Sequence, residues 1–173
     1  MVELVKQNFR KNKKLFLLVY QKLQNCLGEN IPIDHVGSTA IPNMVGKNII
    51  DILIGAKDTN EFQHIEKIIQ EEGFFPNAKK EDIYQFFASK TTETSSGDIH
   101  IHLAIIHTER YQEFLILKQY LLSNKQEAKA YSNHKKELIQ KGITVRKQYK
   151  QEKSEYVTKL IERAKNSIKT VQK

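Results

Sequence analysis

The sequence predicts an α+β (α/β layered) fold: a mixed β-sheet packed against helices, with a helical C-terminal region. Three observations carry this. Two strand-like runs arrive before the first long intervening helix, and the last two strand-like runs are parted only by a short loop. Everything after His107 then follows helical periodicity. A regular doubly wound parallel sheet would alternate strand and helix more strictly. At 173 residues the chain suits one domain over residues 1–173, with a sheet core over 1–107 and C-terminal helices over 108–173.

The elements follow in order. Residues 2–5 form a short apolar start, and 6–14 are polar and basic. Leu15, Val19, Leu23 and Leu27 recur every four residues, which predicts a helix over 15–27 that Gly28 stops. Residues 31–36 read as a strand broken by Gly37, Ser38 and Thr39. Pro42 and Gly46 keep the next segment short. Residues 48–54 are the most apolar strand candidate, ended by Gly55. A helix over 58–72 has Asp58 or Thr59 as its cap and Phe62, Ile65, Ile68 and Ile69 as its buried stripe. Strands are expected over 83–89 and 99–106, joined by a Thr- and Ser-rich loop over 91–97. Helices are expected over 108–122, 125–141 and 145–169, and 165–173 reads as a frayed tail.

Lys plus Arg number 28 against 20 Asp plus Glu, a net charge of +8. That balance suits anionic partners such as nucleotides or phosphorylated small molecules, although a solubilising surface is the simpler account. Nucleic acid is not favoured as a partner, because the basic C-terminal helices carry no recognisable RNA or DNA motif. The single cysteine, Cys26, excludes an internal disulfide and reads as a buried structural thiol. No apolar run approaches the ~20 residues of a membrane span. A cytoplasmic protein is the expectation.

Three stretches carry candidate chemistry. Gly37 and Ser38 at a strand end let backbone approach a phosphate, and the Ser38 and Thr39 hydroxyls add donors. A plain turn explains so short a motif as well. Asp51 lies inside an apolar strand, where a carboxylate costs free energy unless paired or metal-bound. Strand alternation puts Ile50, Ile52 and Ile54 on one face and Asp51 on the other. Metal or catalytic use competes evenly with a structural Asp bonded to a cap, Lys47 or His35. Alternation also sets Asp98, His100 and His102 on one face, as a ligand pair, a phosphate contact or a solvent-facing edge.

Taken together, these stretches resemble the GrpB family, catalogued as an uncharacterised (UPF0157-type) family within the nucleotidyltransferase superfamily. The motif DHVGSTAIP from Asp34 to Pro42, then KNIIDI from Lys47 to Ile52, carries the likeness, with His100 and His102 on the family's His-x-His strand. Residues of the helical region, among them Tyr131, Lys135, Arg146, Tyr149 and Lys153, extend it. The resemblance implies a nucleotidyltransferase-like core in which the Gly-Ser turn holds nucleotide phosphates and carboxylates hold a divalent metal. On that reading Gly37, Ser38, Thr39 and Lys47 bind phosphate, and Asp51, Asp98, His100 and His102 hold the metal. Asp51, His100 and His102 are the catalytic candidates, with His35 in support. The metal is Mg²⁺ or Mn²⁺, or Zn²⁺ if imidazoles ligate. One departure matters: the superfamily's Asp-x-Asp pair has Leu53 at its second position. That favours an alternative, a non-catalytic nucleotide- or partner-binding module. A hydrolase using Asp51, His100 and His102 around one transition metal is a third reading.

Overall fold

The computed structural model describes residues 1–76, 81, 83–89 and 98–171, with the side chains of 169–171 left aside. The expected Thr- and Ser-rich loop over 91–97 lies outside the described residues.

Strand β1 (Val5–Lys6) pairs antiparallel with β3 (Val45–Gly46) in a small two-stranded ribbon. Helix α1 (Phe9–Leu27) begins six residues before the apolar repeat that predicts it. The Asn8 side chain caps it by accepting from the Lys11 N–H, so an exposed basic first turn still folds as helix. Gly28 ends it as expected, at φ +91°.

The main sheet runs β2 (Ile33–Val36), β4 (Ile50–Ala56), β7 (Ile99–Ile105), β6 (Tyr84–Ser89), β5 (Phe74–Pro76) in spatial order. Only β4 and β7 are parallel, so the sheet is mixed. Two details differ from the sequence reading. Gly55 does not end β4 but lies within it, where a side chain would meet Ile106 and Tyr111. Strand β5 is unforeseen, being three residues long and ending in a proline.

Alternation sorts the sheet faces. Ile50, Ile52, Ile54, Ile101, Leu103 and Phe87 pack against Leu23 of α1 and Phe62, Ile65 and Ile69 of α2 (Thr59–Glu71). The opposite face sets Val36, Leu53, Tyr84 and Ala104 against Tyr111 and Phe114 of α3 (Glu109–Ser123). Helices α4 (Lys125–Gln140) and α5 (Arg146–Val171) join Ile41 and Met44 in a further cluster through Ala128, Tyr131 and Leu160. The expected tail from Lys165 continues α5 instead. Lys165 Nζ lies 2.7 Å from Glu109 and 3.0 Å from Glu113, which ties that turn to α3. Cys26 is half-buried rather than buried, its thiol between the Lys22 carbonyl and Glu72. Among the described residues no helix is long and apolar enough to cross a membrane.

Candidate functional site

The site grows from the junction of β2, β4 and β7. The chain leaves β2 at Gly37, with φ +72° and ψ −168°, and turns through a 3-10 segment at Ser38–Ala40. Only glycine fits there. A Cβ on Gly37 would overlap Asp51 Oδ2 and stand 2.9 Å from Asp51 Cβ and Cγ. The turn therefore lies directly on the carboxylate. A Cβ on Gly46 would likewise stand 2.9 Å from Ser38 Cβ, which brings the β1–β3 ribbon against the same turn.

Parallel pairing sets Asp51 opposite His100 and Leu53 opposite His102. His100 Nδ1 lies 3.4 Å and His102 Nε2 3.5 Å from one oxygen, Asp51 Oδ1. These are long, charge-assisted contacts. Burial acts to raise the Asp51 carboxyl, but the two imidazole hydrogen bonds outweigh it and hold the group below the usual carboxylate range. Asp51 stays ionised, and its side chain keeps 25% of its surface accessible to a ligand. The Tyr84 hydroxyl lies 2.8 Å from His102 Nδ1. With His102 Nε2 turned to the carboxylate, the consistent assignment is Nε2–H donating to Asp51 and Nδ1 accepting from Tyr84. Burial lowers His102, the Asp51 contacts opposing it, which favours the neutral ring this assignment requires. Phe86 and Phe114 flank that ring, and the Arg110 guanidinium sits 4.7 Å over the Tyr84 ring.

The far wall is cationic and comes from the C-terminal helices. Lys135 of α4 is 2% exposed, and its ammonium donates to Ser38 Oγ at 2.9 Å and to the Val45 carbonyl. Burial, then the charge of Lys153, pushes Lys135 down to about 7. Burial also lowers Lys153, against the pull of Asp51. Lys47 follows β3 at the open rim, yet the protein around its ammonium and then the charges of Lys153 and Arg146 depress it. Arg146, Lys150 and Lys153 share one face of α5 by their four- and three-residue spacing.

The structure thus brings Gly37, Asp51, His100 and His102 into contact, with Ser38 and Lys47 at the cationic side. Thr39 and His35 turn inward. The Thr39 hydroxyl donates to the Ile49 carbonyl at 3.2 Å and receives His35 Nε2–H at 3.0 Å. His35 stacks on Phe16 at 4.6 Å, and burial lowers it to about 4, so it remains neutral. Asp98 stands exposed before β7, its backbone carbonyl accepting the Ile50 N–H at 2.8 Å.

Residue-level reading of the sequence missed Lys135, Lys153 and Tyr84 as site groups. A signal existed for the two lysines. Lys135 occupies the apolar stripe of α4 with Ala128, Tyr131 and Leu138, and Lys153 sits between Tyr149 and Val157 on the core face of α5. A cation at a stripe position needs a buried anionic or polar partner.

The donor set does not fit Mg²⁺, the hardest of the expected metals. Mg²⁺ takes about six oxygen ligands. Here one carboxylate is present, with Oδ1 taken by two imidazoles and Oδ2 against Gly37. Leu53, where a second carboxylate would stand, is 0% exposed between Val36, Tyr84, Ala104 and Tyr111. Among the described residues no group of three or more His, Cys, Asp or Glu is placed to hold a metal ion.

A family model described as GrpB protein matches residues 2–163. The glutamate-rich protein GrpB of Alkalihalophilus pseudofirmus is 29% identical over 155 residues, covering 86% of this chain and 88% of the relative. A UPF0157 protein of Halalkalibacterium halodurans is 26% identical over 152 residues, covering 87% and 76%. Among solved structures, the conserved protein GrpB from Enterococcus faecalis overlays with a TM-score of 0.81 at 20% identity, covering 96% of this chain and 99% of that one. The Cid1 poly(U) polymerase bound to MgGTP overlays with a TM-score of 0.46 at 12% identity, over 76% of this chain and 45% of that one, too loosely to carry an argument.

Proposed function

The chain belongs to the GrpB protein family, and from that premise we propose that it is a nucleotidyltransferase-like module that binds the phosphate chain of a nucleotide. The phosphates lie between the Gly37–Ser38 turn and the cations of α4 and α5. One observation carries the reading: Lys135 reaches from a buried stripe position in α4 to Ser38 Oγ at 2.9 Å. A buried ammonium beside a serine hydroxyl and a side-chain-free turn is a place for an anion. Lys47 and Lys153 add positive charge, while Phe86 and Phe114 offer apolar surface near Asp51.

A second reading keeps the enzyme. Asp51 remains ionised next to the phosphate turn, which suits a carboxylate that holds a metal. The donor set argues against Mg²⁺-dependent transfer, and the binding module is preferred. Thermal unfolding with a panel of nucleotides and phosphorylated small molecules tests it. A ligand at 100 times its Kd adds about 2.7 kcal/mol, or roughly 5–11 °C for a chain of this size. Lys153→Gln, by weakening binding about tenfold, should cut that shift to about half. A panel with no stabilising phosphate compound would overturn the proposal. Metal-dependent binding that Asp51→Ala abolishes would favour the enzyme.

A further inference from the structure

We infer that the cleft takes its phosphate chain free of divalent metal, with Lys47, Lys135, Arg146, Lys150 and Lys153 supplying the charge that metal ions supply in carboxylate-rich sites. The inference rests on the phosphate reading and specifies the ionic form of the ligand.

Three observations support it. First, the acidic side of the cleft is too poor in oxygen for a hard cation: Asp51 is shared between His100 and His102 on Oδ1 and walled by Gly37 at Oδ2. Second, the position that would complete a carboxylate pair is closed. Leu53 is sealed under Tyr111 of α3, and its neighbours Val36 and Ala104 are also fully buried, so neither metal nor water has room there. Third, the basic side gathers several cations on the side of the cleft facing Asp51. Lys135 donates to Ser38 Oγ at 2.9 Å and to the Val45 carbonyl, two residues before Lys47. The spacing of Arg146, Lys150 and Lys153 turns them together along α5. Lys47 and Lys135 feel the charge of Lys153, and all three feel Asp51. Like charges gathered around the buried Lys135 and the half-buried Lys153 cost free energy that a bound polyanion returns. A divalent ion placed among them would be repelled, and it would cancel about two of the ligand's negative charges, the very charges that the cations match.

Titration calorimetry with ATP and with inorganic tripolyphosphate, in EDTA and again in excess Mg²⁺, tests this on the full chain. Both probes should bind in EDTA and bind at least several-fold more weakly with Mg²⁺. Lys47→Gln, at an exposed rim position, should lower the EDTA affinity about 5-fold, and Lys153→Gln by on the order of tenfold. Circular dichroism checks that both variants fold. Binding that requires Mg²⁺ overturns the inference and leaves the phosphate reading standing. No binding in either condition overturns both. Binding in EDTA that neither substitution weakens places the anion elsewhere and also overturns the inference.

Discussion

Replacing Gly37 by alanine tests how tightly the phosphate turn is built onto Asp51. Two costs add. Gly37 has φ +72° and ψ −168°, a region that other residues enter only at about 1–3 kcal/mol. The added Cβ would also overlap Asp51 Oδ2, and because a Cβ cannot rotate away, the carboxylate must move. Losing one charge-assisted imidazole contact costs about 1.5–3 kcal/mol more. Gly28 provides the control. It has φ +91° and ψ 160°, the same region, with nothing within 4 Å of an added Cβ. Gly28→Ala therefore bears the backbone cost alone. The two variants should differ by about 1.5–3 kcal/mol, or roughly 3–12 °C in melting temperature for a chain of this length. Scanning calorimetry reads the difference, and a nucleotide thermal shift measured in parallel should vanish in Gly37→Ala and survive in Gly28→Ala. Equal losses of stability, with the ligand response kept in both, would refute the contact between turn and carboxylate.

Further outcomes follow from the same geometry. Tyr84→Phe removes the donor to His102 Nδ1; it should cost about 1 kcal/mol and let the second His102 tautomer appear in nitrogen NMR spectra, whereas an unchanged tautomer would break the assignment. Leu53→Asp restores the superfamily's pair in sequence but buries a carboxylate among apolar side chains. It should destabilise by roughly 3–5 kcal/mol without creating Mg²⁺ binding, as denaturant unfolding and metal titration would read. Lys135 sets a pH dependence. Its folded value of about 7 lies below the ordinary 10.5. Between those values the unfolded chain binds more protons, so stability rises with pH across the window, by a ceiling of about 5 kcal/mol. Below about pH 7 the penalty is fully present, and Lys135→Met should flatten the rise. Anion binding favours the ammonium, so phosphate affinity should fall as pH climbs above about 7, and a flat affinity profile would count against Lys135 as a ligand.

Much of the sheet and of its acidic face was legible because strand alternation is local. Ile50, Ile52 and Ile54 announce one face, and Asp51 must then share the other with His100 and His102 once β4 and β7 pair. The Gly37 turn was legible because few residues other than glycine tolerate such a corner. The start of α1 was hidden, since its first turns are polar and a side-chain cap at Asn8, not an apolar stripe, begins it. Strand β5 was hidden because three residues ending at Pro76 gain their conformation from pairing with β6. The cationic wall was missed for a different reason. Lysines on basic helices read as solvated, and only tertiary packing shows that Lys135 and Lys153 turn inward while Lys141 and Lys147 remain outside. Their stripe positions beside Tyr131, Leu138 and Tyr149 were the available clue.

The most direct measurement is a titration of the ¹⁵N-labelled chain with ATP, followed through its backbone amides. Saturable shifts are expected at Gly37, Ser38, Thr39 and Lys47, with matching changes along α4 and α5 near Lys135 and Lys153. Shifts confined to surfaces away from the Gly37–Ser38 turn, or no saturable shift at all, would contradict it.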